Sequence, residues 1–353
     1  MVLLIIRKMG GIYMLPEVYN QSTSIILKAA YLYYIKGISQ SEIADKLQIS
    51  VTTVSRLIKK AKDEKIIKFV IKDPYINCIE LEEKLKQKFG LKDVIIAPYP
   101  EVIPGENILL ELENRKKLVA LEGARYLQRI IKEDDILGIS WGSTMYYLIN
   151  YLNPCQKVDA TFVTLHGSIS CCESELDVRT LVLRMAMAFS GKNYHILAEG
   201  LMSNKIIAAS IKEEKNIAKV FDMFDKVNIS VSGIGSFYPQ RGSKLATKEY
   251  MTECELERLK NKNVVGDIAL RFFDGNGREC ITDLKERTIA IDFESFKKIE
   301  TKIVLASDES KAHTVLSALK GDLIDVLITD YSFGSLIMKL AGNENYIKKA
   351  IKI

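Results

Sequence analysis

Histidine is scarce: three residues in 353, far apart along the chain. The six cysteines form no Cys-x-x-Cys pair. Cys171 and Cys172 are adjacent, while Cys78, Cys155, Cys254 and Cys280 stand alone. So few imidazoles and no paired thiols argue against a metal site. Reduced, mostly buried thiols in a cytoplasmic protein are the simplest account. No uninterrupted apolar segment is long enough for a transmembrane helix, so no membrane partner is expected. The short apolar run before Arg7 has no basic segment ahead of it and makes a poor signal peptide. Neither charge sign dominates. Fifty Lys and Arg face 45 Asp and Glu, a net charge of +5 that by itself does not imply nucleic acid. No Ser, His and Asp arrangement has nucleophile-elbow context. The Gly233-Ile234-Gly235 run does not continue as a dinucleotide fingerprint, and no cofactor is expected.

What is present begins with Ser39–Ala61, two short helical patterns joined by a tight turn. Ser39 is an N-cap, and Glu42 completes a capping box. Ile43, Ala44 and Leu47 form an apolar stripe, Ile49 plugs the turn, and Ser50 caps the second helix. Val54, Leu57 and Ile58 face inward on that helix. Thr52, Thr53, Ser55, Arg56, Lys59 and Lys60 take the remaining surface. With Ser50, these hydroxyls and cations suit the major groove of double-stranded DNA. The bland reading is a helical pair on the surface of an enzyme, but turn, caps and polar face agree on DNA. Residues 22–35 supply a preceding helix ended by Gly37, and residues 66–71 a short strand able to form one side of a wing. Asp73 and Pro74 close the unit. Residues 1–21 read as an arm or an extension of the start. Residues 74–92 hold an amphipathic helix that either pairs with a second copy or packs on its own domain.

From residue 93 onward, short apolar strands alternate with helices: strands at 94–97, 135–139, 161–165, 194–198, 228–232, 299–306 and 323–329. This is an α/β pattern with a mainly parallel sheet, whose ligands sit outside the carboxyl ends of the strands. Five loops there could hold a ligand. Ser140, Trp141, Gly142, Ser143 and Thr144 leave a strand and enter a helix, offering amides and hydroxyls to a phosphate or polyol. His166, Gly167, Ser168, Ile169 and Ser170 follow a second strand, and Gly233–Phe237, with Gly235 central, a third. Asp274-Gly275-Asn276-Gly277 forms a hairpin turn whose Asp274 can accept from sugar hydroxyls. Lys311 starts a helix after Ser307-Asp308 and can bind a phosphate. His195 and His313 read as ordinary core or surface histidines. The lysines at 339, 348, 349 and 352 read as a solvated tail.

These motifs, in this order, resemble the SorC family of bacterial sugar-responsive transcriptional regulators, related to the deoxyribonucleoside regulators. The likeness covers about residues 22–343. It rests on the helix-turn-helix, the GISWG run at 138–142, GDIALRFFDGNG at 266–277 and ESKAHTVLSALKGDLIDVLITD at 309–330. The resemblance implies a Rossmann-like phosphosugar-binding domain related in fold to ribose-phosphate isomerases and glucosamine-phosphate deaminases. It also implies homodimers or homotetramers whose DNA affinity changes with effector. By motif, Gly142, Ser143 and Thr144 become phosphate or sugar contacts, Asp274 a hydroxyl acceptor and Lys311 the basic ligand. The chain departs from the family at Leu165-His166-Gly167-Ser168, which lacks a Gly-Gly pair. It departs again at Ala198-Glu199, which lacks an Ala-Pro pair, and at Ser307-Asp308. These departures leave the effector open between a phosphosugar and a phosphate-free polyol.

The expected organisation is an arm at 1–21, a DNA-binding domain at 22–73, a linking helix at 74–92 and an effector domain at 93–353. The expected function is a cytoplasmic, non-enzymatic regulator. Its competitors are a sugar-phosphate isomerase or deaminase drawing on Asp274, Glu199 and His166, and an adaptor whose N-terminal helices bind protein.

Overall fold

The computed structural model describes residues 3–6, 18–70, 75–98, 108–153, 157–169, 175–248 and 250–342. Asp73, Pro74, Cys155, Ser170, Cys171, Cys172 and the lysines at 348, 349 and 352 lie outside the described residues. The chain divides into two compact units, Met1–Ile76 and Asn77–Ile353.

The first unit holds β1 (Leu3–Ile6), α1 (Val18–Ala30), α2 (Gln40–Leu47), α3 (Val51–Asp63) and β2 (Ile67–Val70). A π-helical turn, Tyr31–Ile35, extends α1. The capping box forms as read: the Ser39 hydroxyl accepts from the Glu42 N–H at 3.3 Å, and the Ser39 N–H donates to the Glu42 carboxylate at 3.2 Å. Gln48, in the left-handed region, ends α2. Two residues later Ser50 accepts from the Thr53 N–H at 3.1 Å and starts α3. Ile43, Ala44, Val54 and Ile58 are buried against Ala29 of α1, so three helices close on one small core. β1 and β2 pair antiparallel, Leu3 opposite Val70 and Ile6 opposite Ile67. The strand read at 66–71 thus finds its partner in the segment read as an arm.

α4 (Tyr75–Phe89) runs into the second unit, where Cys78, Leu81 and Leu85 join its core. The apolar side of this helix is therefore occupied by its own domain. Seven parallel strands follow: β3 (Asp93–Ala97), β4 (Ile136–Ile139), β5 (Thr161–Thr164), β6 (Lys192–Tyr194), β7 (Ile229–Ser232), β11 (Thr301–Leu305) and β12 (Val326–Asp330). They lie in the order β3-β12-β11-β7-β4-β5-β6. Strand alternation sends Ile303 and Leu305 to one face and Val304 to the other. On the first face they meet α5 (Ile108–Ile130), α6 (Ser143–Asn150) and α7 (Val178–Phe189). On the second they meet α4, α8 (Lys205–Glu213), α9 (Lys215–Phe224), α12 (Phe293–Lys298), α13 (Ala312–Lys320) and α14 (Tyr331–Ala341). Burial on both faces explains why β7 and β12 are apolar or small at nearly every position. A three-stranded antiparallel sheet, β8 (Gly235–Ser236), β9 (Gly266–Ile268) and β10 (Arg271–Phe273), sits over a third core with α10 (Glu253–Asn261) and α11 (Asp283–Arg287).

Candidate functional site

In the first unit, Ser50, Thr52, Thr53, Ser55, Arg56, Lys59 and Lys60 are all exposed, because Val54, Ile58 and Ala61 turn the opposite side of α3 inward. The Ser50 and Thr53 hydroxyls lie 2.8 Å apart, so both help build the helix start. Lys60 makes a solvent-exposed pair with Glu64 at 3.5 Å. α3 thus presents a polar, cationic face with its caps satisfied, a shape that fits a major groove.

In the second unit, the sheet order creates the site. From β4 the chain steps outward to β5 and β6, then returns to place β7 on the other side of β4 and continues to β11 and β12. The loops after β4 and β7 therefore diverge and leave a crevice at the switch point. A cavity of about 190 Å³ occupies it. Ser140, Trp141, Gly142, Ser143 and Thr144 line it after β4, Gly233 and Gly235 after β7, and Ser307, Asp308 and Lys311 after β11. Gly142 adopts φ 122°, a conformation costly for any side chain, and caps α6 without a side-chain hydrogen bond. The first amides of α6 are left to solvent or an anion.

Charge in the cavity is divided. Lys116 from α5, Lys244 and Lys311 bring three cations, and Asp267 and Asp308 two carboxyls. Burial pushes the Lys311 ammonium below its ordinary value, and Lys116 pushes the same way; Asp308 and Asp267 oppose them. Burial raises the Asp267 carboxyl to about 6, against the Ser243 hydroxyl, the Lys311 charge and the Leu270 N–H, which favour the anion. Ser243 donates to Asp267 at 3.3 Å. Lys116 donates to Glu113 at 2.8 Å, and Glu113 also accepts from Tyr147. The arrangement can neutralise a phosphate with lysines and helix amides and orient hydroxyls with Asp267, Ser243 and Asp308.

Six of the ten residues read as effector contacts line this cavity: Ser140, Gly142, Ser143, Thr144, Gly235 and Lys311. His166, Gly167, Ser168 and Asp274 do not. β5 lies one strand away from the switch point, and its continuation runs as an extended rib between 198–200 and 288–291. His166 is wholly buried in that rib. Its Nε2 accepts the Trp141 N–H at 3.2 Å, so its Nδ1 carries the proton and donates to the Gly167 carbonyl at 2.7 Å. Burial lowers its pKa to about 4, overcoming the Gly167 carbonyl and the Asp177 charge. His166 thus holds the cavity rim through the Trp141 backbone. Gly167 is packed against the Ala198 and Glu199 backbone, and the Ser168 hydroxyl donates to Asp177, the cap of α7. Asp274 sits past the far end of β10, where its carboxylate accepts from the Asn276 and Arg278 amides at 2.8 and 3.0 Å. The turn reading of that motif holds. The carboxyl this stretch sends into the cavity is Asp267.

Sequence reasoning missed Lys116, Ser243, Lys244 and Asp267. Lys116 is one lysine among several on the polar side of a long helix, and nothing in the local sequence marks it. Asp267 carried a signal: an acidic residue inside an otherwise apolar strand is buried only with partners. Among the described residues no cluster of His, Cys, Asp and Glu could hold a metal, and no helix is long and apolar enough to cross a membrane.

Comparison with known proteins agrees with both units. Residues 73–339 match the family described as "Putative sugar-binding domain", and residues 20–67 match a homeodomain-like domain. The sorbitol operon regulator of Klebsiella pneumoniae is 30% identical over 317 residues, 89% of this chain and 98% of its own. The deoxyribonucleoside regulator of Bacillus subtilis is 29% identical over 313 residues, 88% of this chain and 96% of its own. The crystal structure of full-length SorC from Klebsiella pneumoniae superposes with a TM-score of 0.69, covering 90% of this chain and 98% of that one.

Proposed function

Because the chain belongs to the SorC family of transcriptional regulators, we propose that α3 reads a DNA operator under control of a sugar phosphate or related polyol bound in the switch-point cavity. The chain is a regulator with a helix-turn-helix unit and a sugar-binding domain, not an enzyme. The observation that carries the effector assignment is the cavity itself: three lysines and an uncapped helix start on one hand, a buried Asp267 held by Ser243 on the other. We place DNA contacts at residues 50–60 within a module at 22–73, and the effector module at 93–353. A cytoplasmic homodimer or homotetramer acting on a palindromic site fits this scheme, because symmetric proteins read symmetric half-sites. Sedimentation with and without operator tests the assembly.

A thermal-shift screen of phosphorylated and free pentoses, hexoses and polyols tests the effector. Phosphorylated members should raise the melting temperature of the protein, since a ligand of the native state alone stabilises it. Lys311→Ala should lose most of that shift. Equal binding of free sugars together with an unchanged Lys311→Ala response would remove the phosphate from the scheme. Linkage adds a second readout: an effector that changes operator affinity must itself bind differently when DNA is present.

For DNA, Arg56 has an exposed guanidinium on the groove-facing side of α3. Arg56→Ala should cost about 1–3 kcal/mol at the cognate site and relax specificity there. Lys60→Ala should weaken binding more evenly across sequences and flatten its salt dependence. Footprints and affinities unchanged in both variants would rule out this docking.

A further inference from the structure

The DGNG turn has a place in the molecule that the switch-point cavity does not use. A second cavity, of about 380 Å³, lies where this turn meets the ends of two helices. Arg278 comes from the turn, Lys297 from α12, and Lys320 from the last position of α13, with Asp322 just beyond. Three cations therefore face one space with a single carboxylate among them. None of the three makes an ion pair among the described residues, although seventeen such pairs occur there. Three cations against the one Asp322 carboxylate leave the cavity net positive, and an anion offsets that excess.

The cavity wall is also built rather than incidental. Gly277, at φ 71°, touches Gly321: a Cβ on Gly277 would lie 2.5 Å from the Gly321 Cα and from the Ser317 carbonyl oxygen. A Cβ on Gly321 would lie 2.4 Å from the Gly277 carbonyl oxygen. Asp274 fixes the turn by accepting from the Asn276 and Arg278 amides, which sets where Arg278 leaves the backbone. The motif residue that does not reach the effector cavity thereby shapes this one. The two cavities lie at opposite ends of α13. Lys311 precedes its first residue, and Lys320 is its last, a rise of about 13 Å along the axis.

We propose that Arg278, Lys297 and Lys320 form a second anion site that takes a phosphate group of a small molecule, separate from the effector cavity and independent of its assignment. The site is tested with inorganic phosphate and pyrophosphate, titrated calorimetrically into the full chain at constant ionic strength set with sodium chloride. Wild-type protein and Lys311→Ala should both retain pyrophosphate binding at this site. The Lys297→Ala/Lys320→Ala double variant should bind there at least about tenfold more weakly, the loss of two charge-assisted contacts. Both lysines reach solvent, so the variant should melt like wild type, and a matching melting curve secures the comparison. Lys320→Glu, which reverses one charge, should abolish the binding. Unchanged pyrophosphate affinity in the double variant overturns the proposal. So does binding in wild type that vanishes when chloride is raised at fixed pyrophosphate, the mark of a diffuse field. A variant that loses operator affinity while keeping pyrophosphate binding would instead place these cations against the DNA backbone and overturn the small-anion site. Loss of binding in Lys311→Ala alone would count for the effector cavity and against this one.

Discussion

Asp267→Asn is expected to stabilise the folded protein at neutral pH while weakening its response to effector. The carboxyl is 5% exposed and titrates at about 6 instead of its ordinary 3.8. A folded-state pKa raised above the unfolded value means that the native state holds the proton longer. Stability is then greatest below about pH 4, falls as pH rises towards 6, and stays lower above it. The ionised group costs about 3 kcal/mol at pH 7 on this basis. Asparagine keeps the shape, can accept from Ser243 and carries no charge. It should gain roughly 1–3 kcal/mol over wild type at pH 7.5, and that advantage should shrink to about a third near pH 4.5 and disappear only below the unfolded-state pKa of 3.8, where the carboxyl is protonated in both states. Urea denaturation at the two pH values measures both. A variant less stable than wild type at pH 7.5, or an advantage unaltered by acid, would refute this account. Activity sites commonly trade stability in this way.

Gly167→Ala should unfold the sugar-binding unit rather than selectively remove ligand affinity. An added Cβ would lie 2.5 Å from the Ala198 carbonyl oxygen and within 2.8 Å of the Glu199 backbone. Backbone cannot rotate aside as a side chain can. The rib at 166–168 is also pinned on both edges, by Gly167 N–H to Ile289 O at 2.8 Å and Ser168 N–H to Ala198 O at 2.8 Å. A loss of about 3 kcal/mol or more is expected, at the upper end for overpacking. A variant that melts normally but no longer responds to effector would instead return Gly167 to the cavity.

Local chemistry made the helix-turn-helix legible. Ser39, Glu42 and Ser50 announce two helix starts, and their hydrogen bonds are those the spacing implies. The alternation of strands and helices was legible for the same reason, since each apolar run is short and bounded. Reading failed where the tertiary structure decides. The strand read at 194–198 is confined to Lys192–Tyr194, and the helical material up to Phe224 is two helices broken at Glu214. The β9–β10 hairpin turns at Ala269 and Leu270, both at positive φ and neither a glycine or asparagine, so no turn signal marks it. That silent turn delivers Asp267 to the cavity, and this is why the more conspicuous Asp274 drew the assignment. Glycine and serine after a strand likewise gave no indication of which strand ends border the switch point. Only the order of the strands in the sheet separates the loop at 140–144 from the loop at 166–170.

The chain has one tryptophan, which lines the switch-point cavity, and its ring centroid lies 5.8 Å from that of Tyr250. Selective excitation of that indole therefore interrogates the cavity without an attached dye. The His166 imidazole, which accepts the Trp141 backbone N–H, stays uncharged above about pH 5, because burial lowers its pKa to about 4. An emission change centred near pH 6 would ordinarily be credited to histidine. In this protein Asp267, which lines the same cavity as Trp141 and is pushed up to about 6, offers another source, and loss of the change in Asp267→Asn would assign it to that carboxyl.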